Sequence, residues 1–245
     1  MGKADRRQSG LAEVRSFVGG VYGEDLHAKR IASLAGATLG VMQAASLAVA
    51  MIGQALAQAR GLVTKHAIKQ VDRLLSNHGI DVWESFARWV PHQIGTRQEV
   101  LVAMDWTDFD HDDQATLVLS LVTGHGRAAP LLWISVWKDE LTKQRNDFED
   151  ACLRRLADLI PPGCRVTSLA DRGFGDQKLF AFLAELGFGY VIRSVATSTS
   201  QMLMGKPGPL RHGWARADAP ASCSMRASPP RGSRSARSSA STPGT

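Results

Sequence analysis

Between Glu99 and Arg193, short apolar runs alternate with helical segments in one order: three strands, helix, strand, helix, strand. "EVLVAMDW" is apolar and suits a buried strand. "QATLVLSLVTG" and "APLLWISVWK" read as two more, and the "GHG" between them predicts a hairpin. "DFEDACLRRLADLIPPG" is an amphipathic helix closed by Pro161, Pro162 and Gly163. "CRVTSLAD" is a fourth strand and "RGFG" a turn. "DQKLFAFLAELGF" is a helix with Asp176 as N-cap, and "YVIRSV" is a fifth strand. Strands separated by helices are joined by crossovers, so this order predicts an α/β fold whose mixed sheet has a parallel portion.

The first strand runs into five aspartates: Asp105, Asp108, Asp110, Asp112 and Asp113. The fourth ends at Asp171, followed at once by Arg172, Gly173, Phe174 and Gly175. Ligands of open sheets gather at strand carboxyl ends. Two carboxylates held side by side there repel each other, and a divalent cation relieves that repulsion. Mg²⁺ prefers oxygen ligands and keeps several waters, so a few carboxylates suffice. The plain alternative is that each Asp caps a turn, where Asp is common. Asp108 to Asp113 read as a solvated loop joining two strands.

The N-terminal region, residues 1–97, reads as helical. "SLAVAMIGQALAQA" is followed by Gly61 and then "VTKHAIKQVDRLLSN", with Thr64 as a cap. Lys65, Lys69 and Arg73 recur at four-residue steps and share one face, while Ile68, Val71, Leu74 and Leu75 form the apolar face. Helix, glycine turn and basic-striped helix is the pattern of a helix-turn-helix, although such a stripe is often only solvated. His66 and His92 are further phosphate candidates, each with a bland surface alternative. The segment 78–100, punctuated by Pro91 and Gly95, reads as a connector. Ile31 to Ala59 carries no charge, but it is dominated by Ala, Gly, Ser, Thr and Gln and lacks aromatic anchors. That composition predicts buried helices rather than a membrane span.

Residues 195–245 form a low-complexity basic tail. Its large apolar residues are too scattered to bury a core, which predicts disorder. Net charge is +4 over residues 1–100, −4 over 101–194 and +6 over the tail. An acidic middle between basic flanks fits cation-dependent chemistry on a polyanion. Cys152, Cys164 and Cys223 form no CxxC pair, which points to a reducing compartment. No secretory apolar core follows the N-terminal "MGKADRRQSG", so no signal peptide is expected.

"AMDWTDFD", followed later by "LADRGFGDQKLFAFLAELGFGYVIR", resembles the DDE transposases of bacterial insertion sequences, the insertion-sequence-four group. The likeness covers residues 30–194. It implies a ribonuclease-H-like mixed sheet with flanking helices over 98–194, preceded by a small all-helical DNA-binding domain over 1–97. It implies an enzyme dependent on Mg²⁺ or Mn²⁺ that cuts element-end DNA and joins the 3′-hydroxyl to target DNA. Asp105 and Asp171 match the first two catalytic, metal-holding aspartates. Lys65, Lys69 and Arg73 become candidate contacts to double-stranded DNA, as do Arg172 and Arg193. A homodimer and a bacterial cytoplasmic location, on the nucleoid when bound, are further implications.

The chain departs from that pattern after Asp171. The family's third catalytic group is a Glu on a late helix within a Tyr–Arg–Glu–Lys pattern, and only Asp176, Glu185 and Asp218 come after Asp171 here. The tail has the composition of a GC-rich gene read out of frame, which predicts a frameshift near residues 195–215. Strand transfer is therefore expected to be slight or absent. The competing readings are a non-catalytic DNA-binding relic or regulator of transposition, and a metal-dependent nuclease or phosphoesterase.

Overall fold

A computed structural model of the chain describes residues 3–142, 144–174, 176–196 and 199–208. Five helices come first: α1 (Lys3–Tyr22), α2 (Ala28–Ala44), α3 (Val49–Arg60), α4 (Thr64–Leu75) and α5 (Val82–Ile94). Next in the chain are β1 (Glu99–Phe109), β2 (Gln114–Val122), β3 (Ala128–Trp137), α6 (Lys138–Leu141), α7 (Arg145–Leu159) and β4 (Arg165–Ala170). A 3-10 turn (Arg172–Phe174), α8 (Gln177–Glu185), β5 (Gly189–Ala196) and β6 (Thr199–Gly205) complete the described elements.

The six strands form one mixed sheet in the order β3-β2-β1-β4-β5-β6. β1, β2 and β3 are an antiparallel meander, β1–β4 and β4–β5 are parallel, and β6 returns antiparallel to β5. The hairpin at the Gly-His-Gly turn forms, with Gly126 at φ 71. This α/β architecture, a mixed sheet with helices around it, is consistent with a ribonuclease-H-like arrangement. Residues 199–205, which composition puts in the structureless tail, instead form the edge strand β6. The expected disorder of residues 209–245 lies outside the described residues.

Burial alternates strictly along β1. Val100, Val102 and Met104 are buried, whereas Glu99, Leu101 and Asp105 are exposed. β4 repeats this: Val166 and Ser168 are buried, and Arg165 and Asp171 exposed. The buried face joins residues of α5, α7 and α8 in the main core, among them Phe86, Leu156 and Leu183. The opposite face carries Leu101, Ala103, Val118, Leu169 and Val191, none of which belongs to that core. β1 is thus covered on one side only among the described residues, not on both as its apolar sequence suggests; Leu101 remains 45% exposed.

The segment read as a connector is the helix α5. Trp83, Phe86, Val90 and Ile94 recur at helical spacing and are all buried in the main core. Pro91 lies in its last turn, where the lost N–H removes a single hydrogen bond. Arg88 on α5 pairs with Glu24 (2.8 Å) and Asp25 (2.7 Å), tying the α1–α2 junction to the helix that flanks the sheet.

α2, α3 and α4 share a smaller core of Ala37, Ile52, Leu56, Ala57, Ala67 and Val71. Two glycines set its tightness. A side-chain carbon on Gly40 would lie 2.7 Å from the Ile52 carbonyl oxygen, and one on Gly53 would lie 2.5 Å from Ile68 Cα. The small residues of the uncharged run therefore serve close helix packing. No single described helix is long and apolar enough to cross a membrane; the uncharged run is divided into α2 and α3, bent by 99°.

Candidate functional site

β1 and β4 run parallel with Met104 opposite Ala170 as their last paired residues. Asp105 and Asp171 occupy the next register step. Continuing the alternation, both fall on the bare face of the sheet, beside Ala103 and Leu169. The ladder itself stops one residue short of both, since β4 ends at Ala170 and Asp171 begins the turn that follows. β4 and β5 end their pairing at Ala170 and Ile192, so Arg193 extends the same row. Asp105, Asp171 and Arg193 thus each directly follow the last paired residue of the central ladders, and all three are exposed.

Asp105 is not at the end of its strand, as its sequence suggests. β1 continues to Phe109 in its hairpin with β2, and Asp105 pairs with Val118. What ends at Asp105 is the pairing with β4. β4 ends there, and the ladder with β2 continues to hold Asp105.

The turn after β4 is built by its own sequence. The Gly173 amide donates to Asp171 Oδ1 (2.7 Å) and the Phe174 amide to the Asp171 carbonyl (3.3 Å). Phe174 is buried in the main core and pins the turn from below. Arg145 lies over the Trp106 and Phe174 rings at 5.3 and 5.8 Å. Asp176 caps α8 by accepting from the Lys178 amide (3.0 Å), as its sequence position predicts, and accepts also from Asn146 Nδ2 (2.9 Å). Asp171 thus has one oxygen in the turn and a second turned to no described partner. Arg172 is exposed beside it in the 3-10 turn.

Of the remaining aspartates, Asp110, Asp112 and Asp113 form the expected exposed turn, whereas Asp108 lies within β1, opposite Ala115, because the hairpin ladder with β2 extends past it. Lys138 pairs with Asp110 and approaches Asp108 at 3.9 Å, and its amide donates to the Asp113 carbonyl. The Lys138 ammonium holds the Asp110 carboxyl below the usual range. Trp106 points away from Asp105, as alternation requires, and its indole N–H donates to Glu149 Oε1 (2.8 Å) under the other face.

Glu149 is the acid that sequence reading missed. It is 4% exposed on α7 and accepts also from Arg145 Nε (3.2 Å). The sheet lies between it and the Asp105–Asp171 pair, so it cannot share a cation with them. Among the described residues, no group of three or more His, Cys, Asp or Glu is arranged to hold a metal. Asp105 and Asp171 are both exposed carboxylates, and oxygen ligands of that kind are what a hard cation takes.

Burial raises the Glu149 pKa, against the opposing hydrogen bonds of Trp106 and Arg145. A carboxyl with a raised folded-state pKa gives its stabilisation in full below the unfolded pKa and loses it as pH rises through the folded value. Glu149→Gln keeps an acceptor for Trp106 and carries no charge. Its melting temperature should therefore fall less than that of the wild type as pH climbs from roughly 4 to 8. Parallel curves for the two proteins would show that Glu149 does not titrate in this window.

The basic stripe lies elsewhere. Lys65, Lys69 and Arg73 are exposed on α4, which packs on α2 and α3 rather than on the sheet. α3 and α4 are joined at Gly61 in the left-handed region (φ 65), the predicted helix–glycine turn–helix. Two local details differ. Val63, not Thr64, occupies the N-cap, and Leu75 is 61% exposed while Ala67 is buried in its stead. His66 is exposed on α4, and His92 stacks against Trp89 on α5.

Among known proteins, no family model matches this chain and no curated protein matches it.

Proposed function

We propose that the chain is a DDE-type transposase, with a ribonuclease-H-like domain that holds Mg²⁺ or Mn²⁺ at Asp105 and Asp171 and with an N-terminal helical region that binds double-stranded DNA. The observation that carries this reading is the parallel register of β1 and β4, whose last pair, Met104 and Ala170, immediately precedes the two aspartates. A divalent ion bound there would supply charge stabilisation at a phosphodiester and activation of an attacking oxygen. The residues themselves orient: Asp105 is fixed by the hairpin, Asp171 by the Gly173 amide, and Arg172 and Arg193 bring positive charge for a phosphate.

A second reading, a DNA-binding relic or regulator of transposition, is favoured by the acids on the C-terminal side of Asp171. Asp176 is engaged in capping α8, and Glu185 is exposed on the helical layer. Asp218 lies outside the described residues. With two carboxylates the ion is poorly positioned, and positioning supplies much of phosphoryl-transfer catalysis.

The readings separate in one experiment. The full chain is incubated with labelled duplexes from the DNA flanking its own gene, with Mg²⁺, Mn²⁺ or EDTA. Binding with little or no end joining is expected. Efficient joining in Mg²⁺ would show that a third group is supplied after all. Absence of duplex binding under every condition would remove the transposase reading and the relic reading together. A location on the bacterial nucleoid and a homodimer belong to the same proposal.

A further inference from the structure

A cleft of about 470 Å³ lies between α2 and α4, lined by Lys29, Arg30, Ser33, His66, Gln70 and Arg73, with Leu74 and Asn77 at its side. Its charge is of one sign. Lys29 and Arg30 come from the first turn of α2, and His66 and Arg73 lie two turns apart on α4. Among the described residues, no carboxylate forms an ion pair with any of these four groups. The acids nearest in sequence to Lys29, Glu24 and Asp25, are taken by Arg88 on α5. Concave surfaces that gather unpaired cations cost self-repulsion, and an anion relieves it.

Arg30 is also seated. Gly79 leaves a notch that its guanidinium fills, since a side-chain carbon at Gly79 would overlap it. Asn77 Oδ1 accepts from the Gly79 amide (3.0 Å) and shapes that notch. A planar fork held beside Ser33, Gln70 and Asn77 suits the oxygens of a phosphate. His66 and Arg73 are separated by about 10.5 Å along the helix, far enough apart to meet different phosphates of one strand.

We propose that this cleft seats the phosphodiester backbone of one DNA strand. The proposal rests on the DNA reading above and extends it. Lys29, Arg30 and His66 join Arg73 as backbone contacts. Lys65 and Lys69, which sequence periodicity groups with Arg73, do not line the cleft. The contacts position the duplex and carry no sequence preference.

The test is the salt dependence of duplex binding by the full chain, measured by fluorescence anisotropy with a labelled random-sequence duplex. Arg30→Ala/Arg73→Ala removes two phosphate contacts, so the slope of log K against log salt should shrink by about 1.8. Lys29→Ala/His66→Ala, both at exposed positions, should lower affinity without disturbing the fold. Arg30→Lys/Arg73→Lys should retain most of the slope. If the wild type binds duplex and both alanine pairs keep its affinity and slope, the cleft is not the seat, while the DNA reading survives. If the wild type binds no duplex, both fall. If inorganic phosphate or polyglutamate displaces the duplex at matched ionic strength, the cleft is a general anion site and the assignment to DNA backbone is overturned.

Discussion

Millimolar Mg²⁺ or Mn²⁺ should raise the melting temperature of the wild-type chain and leave that of Asp105→Asn/Asp171→Asn unchanged. An ion at ten times its dissociation constant stabilises the folded state by about 1.4 kcal/mol. For a chain of this size that corresponds to about 3–6 °C. The variant is chosen to isolate charge from structure. Asparagine keeps an oxygen that can accept from the Gly173 amide, so the turn after β4 should survive. Without added ion the double variant should be at least as stable as the wild type, because two neighbouring like charges have been removed. Aspartates that merely capped turns would leave the double variant about as stable as the wild type, with no response to metal in either protein. The experiment uses sodium chloride at equal ionic strength as its control. An equal thermal shift in both proteins would remove the metal site and, with it, the observation on which the enzymatic reading stands.

The order of elements along the chain was legible because each strand and each crossover helix carries its own local signal. Strand runs rich in Val, Leu and Ile, the Gly-His-Gly turn, the Pro-Pro-Gly stop and the Asp176 cap all act over a few residues. The pairing of Asp105 with Asp171 was half legible. Two acids after two strands can be read from the residues alone, but only the parallel register of β1 and β4 shows that the residues just before them, Met104 and Ala170, are partners. What was not legible depends on packing at a distance. α5 shows Trp83, Phe86, Val90 and Ile94 at helical spacing, yet Pro91 and Gly95 outweigh that pattern when read locally. β6 has no apolar alternation to announce it and exists through its ladder with β5. The basic cleft joins residues some forty positions apart, and the sequence periodicity that singled out Lys65 and Lys69 reports one helix face, not the shape between two helices.

The second large effect concerns that helical unit. Gly53→Ala should unfold or strongly loosen α2, α3 and α4 while leaving the sheet intact. The added methyl would sit 2.5 Å from Ile68 Cα and 2.8 Å from Ile68 N, atoms of backbone that no rotamer change can move. Overpacking a core costs roughly 1–3 kcal/mol when side chains can adjust, and more when they cannot. Alanine's better helix propensity, worth about 1 kcal/mol over glycine, does not offset this. The small core has only Ala37, Ile52, Leu56, Ala57, Ala67 and Val71 buried, so it holds little reserve. The sheet's core is separate and built around other residues. Duplex binding should therefore fall sharply in Gly53→Ala, because α2 and α4 no longer enclose the cleft, while the metal-dependent thermal shift at Asp105 and Asp171 persists. Hydrogen exchange would localise the damage, with amides of α3 and α4 losing protection and those of β1 and β4 retaining it. Uniform loss of protection across both regions would mean that the helical unit and the sheet fold as one cooperative body. DNA binding and metal binding would then stand or fall together in every destabilised variant.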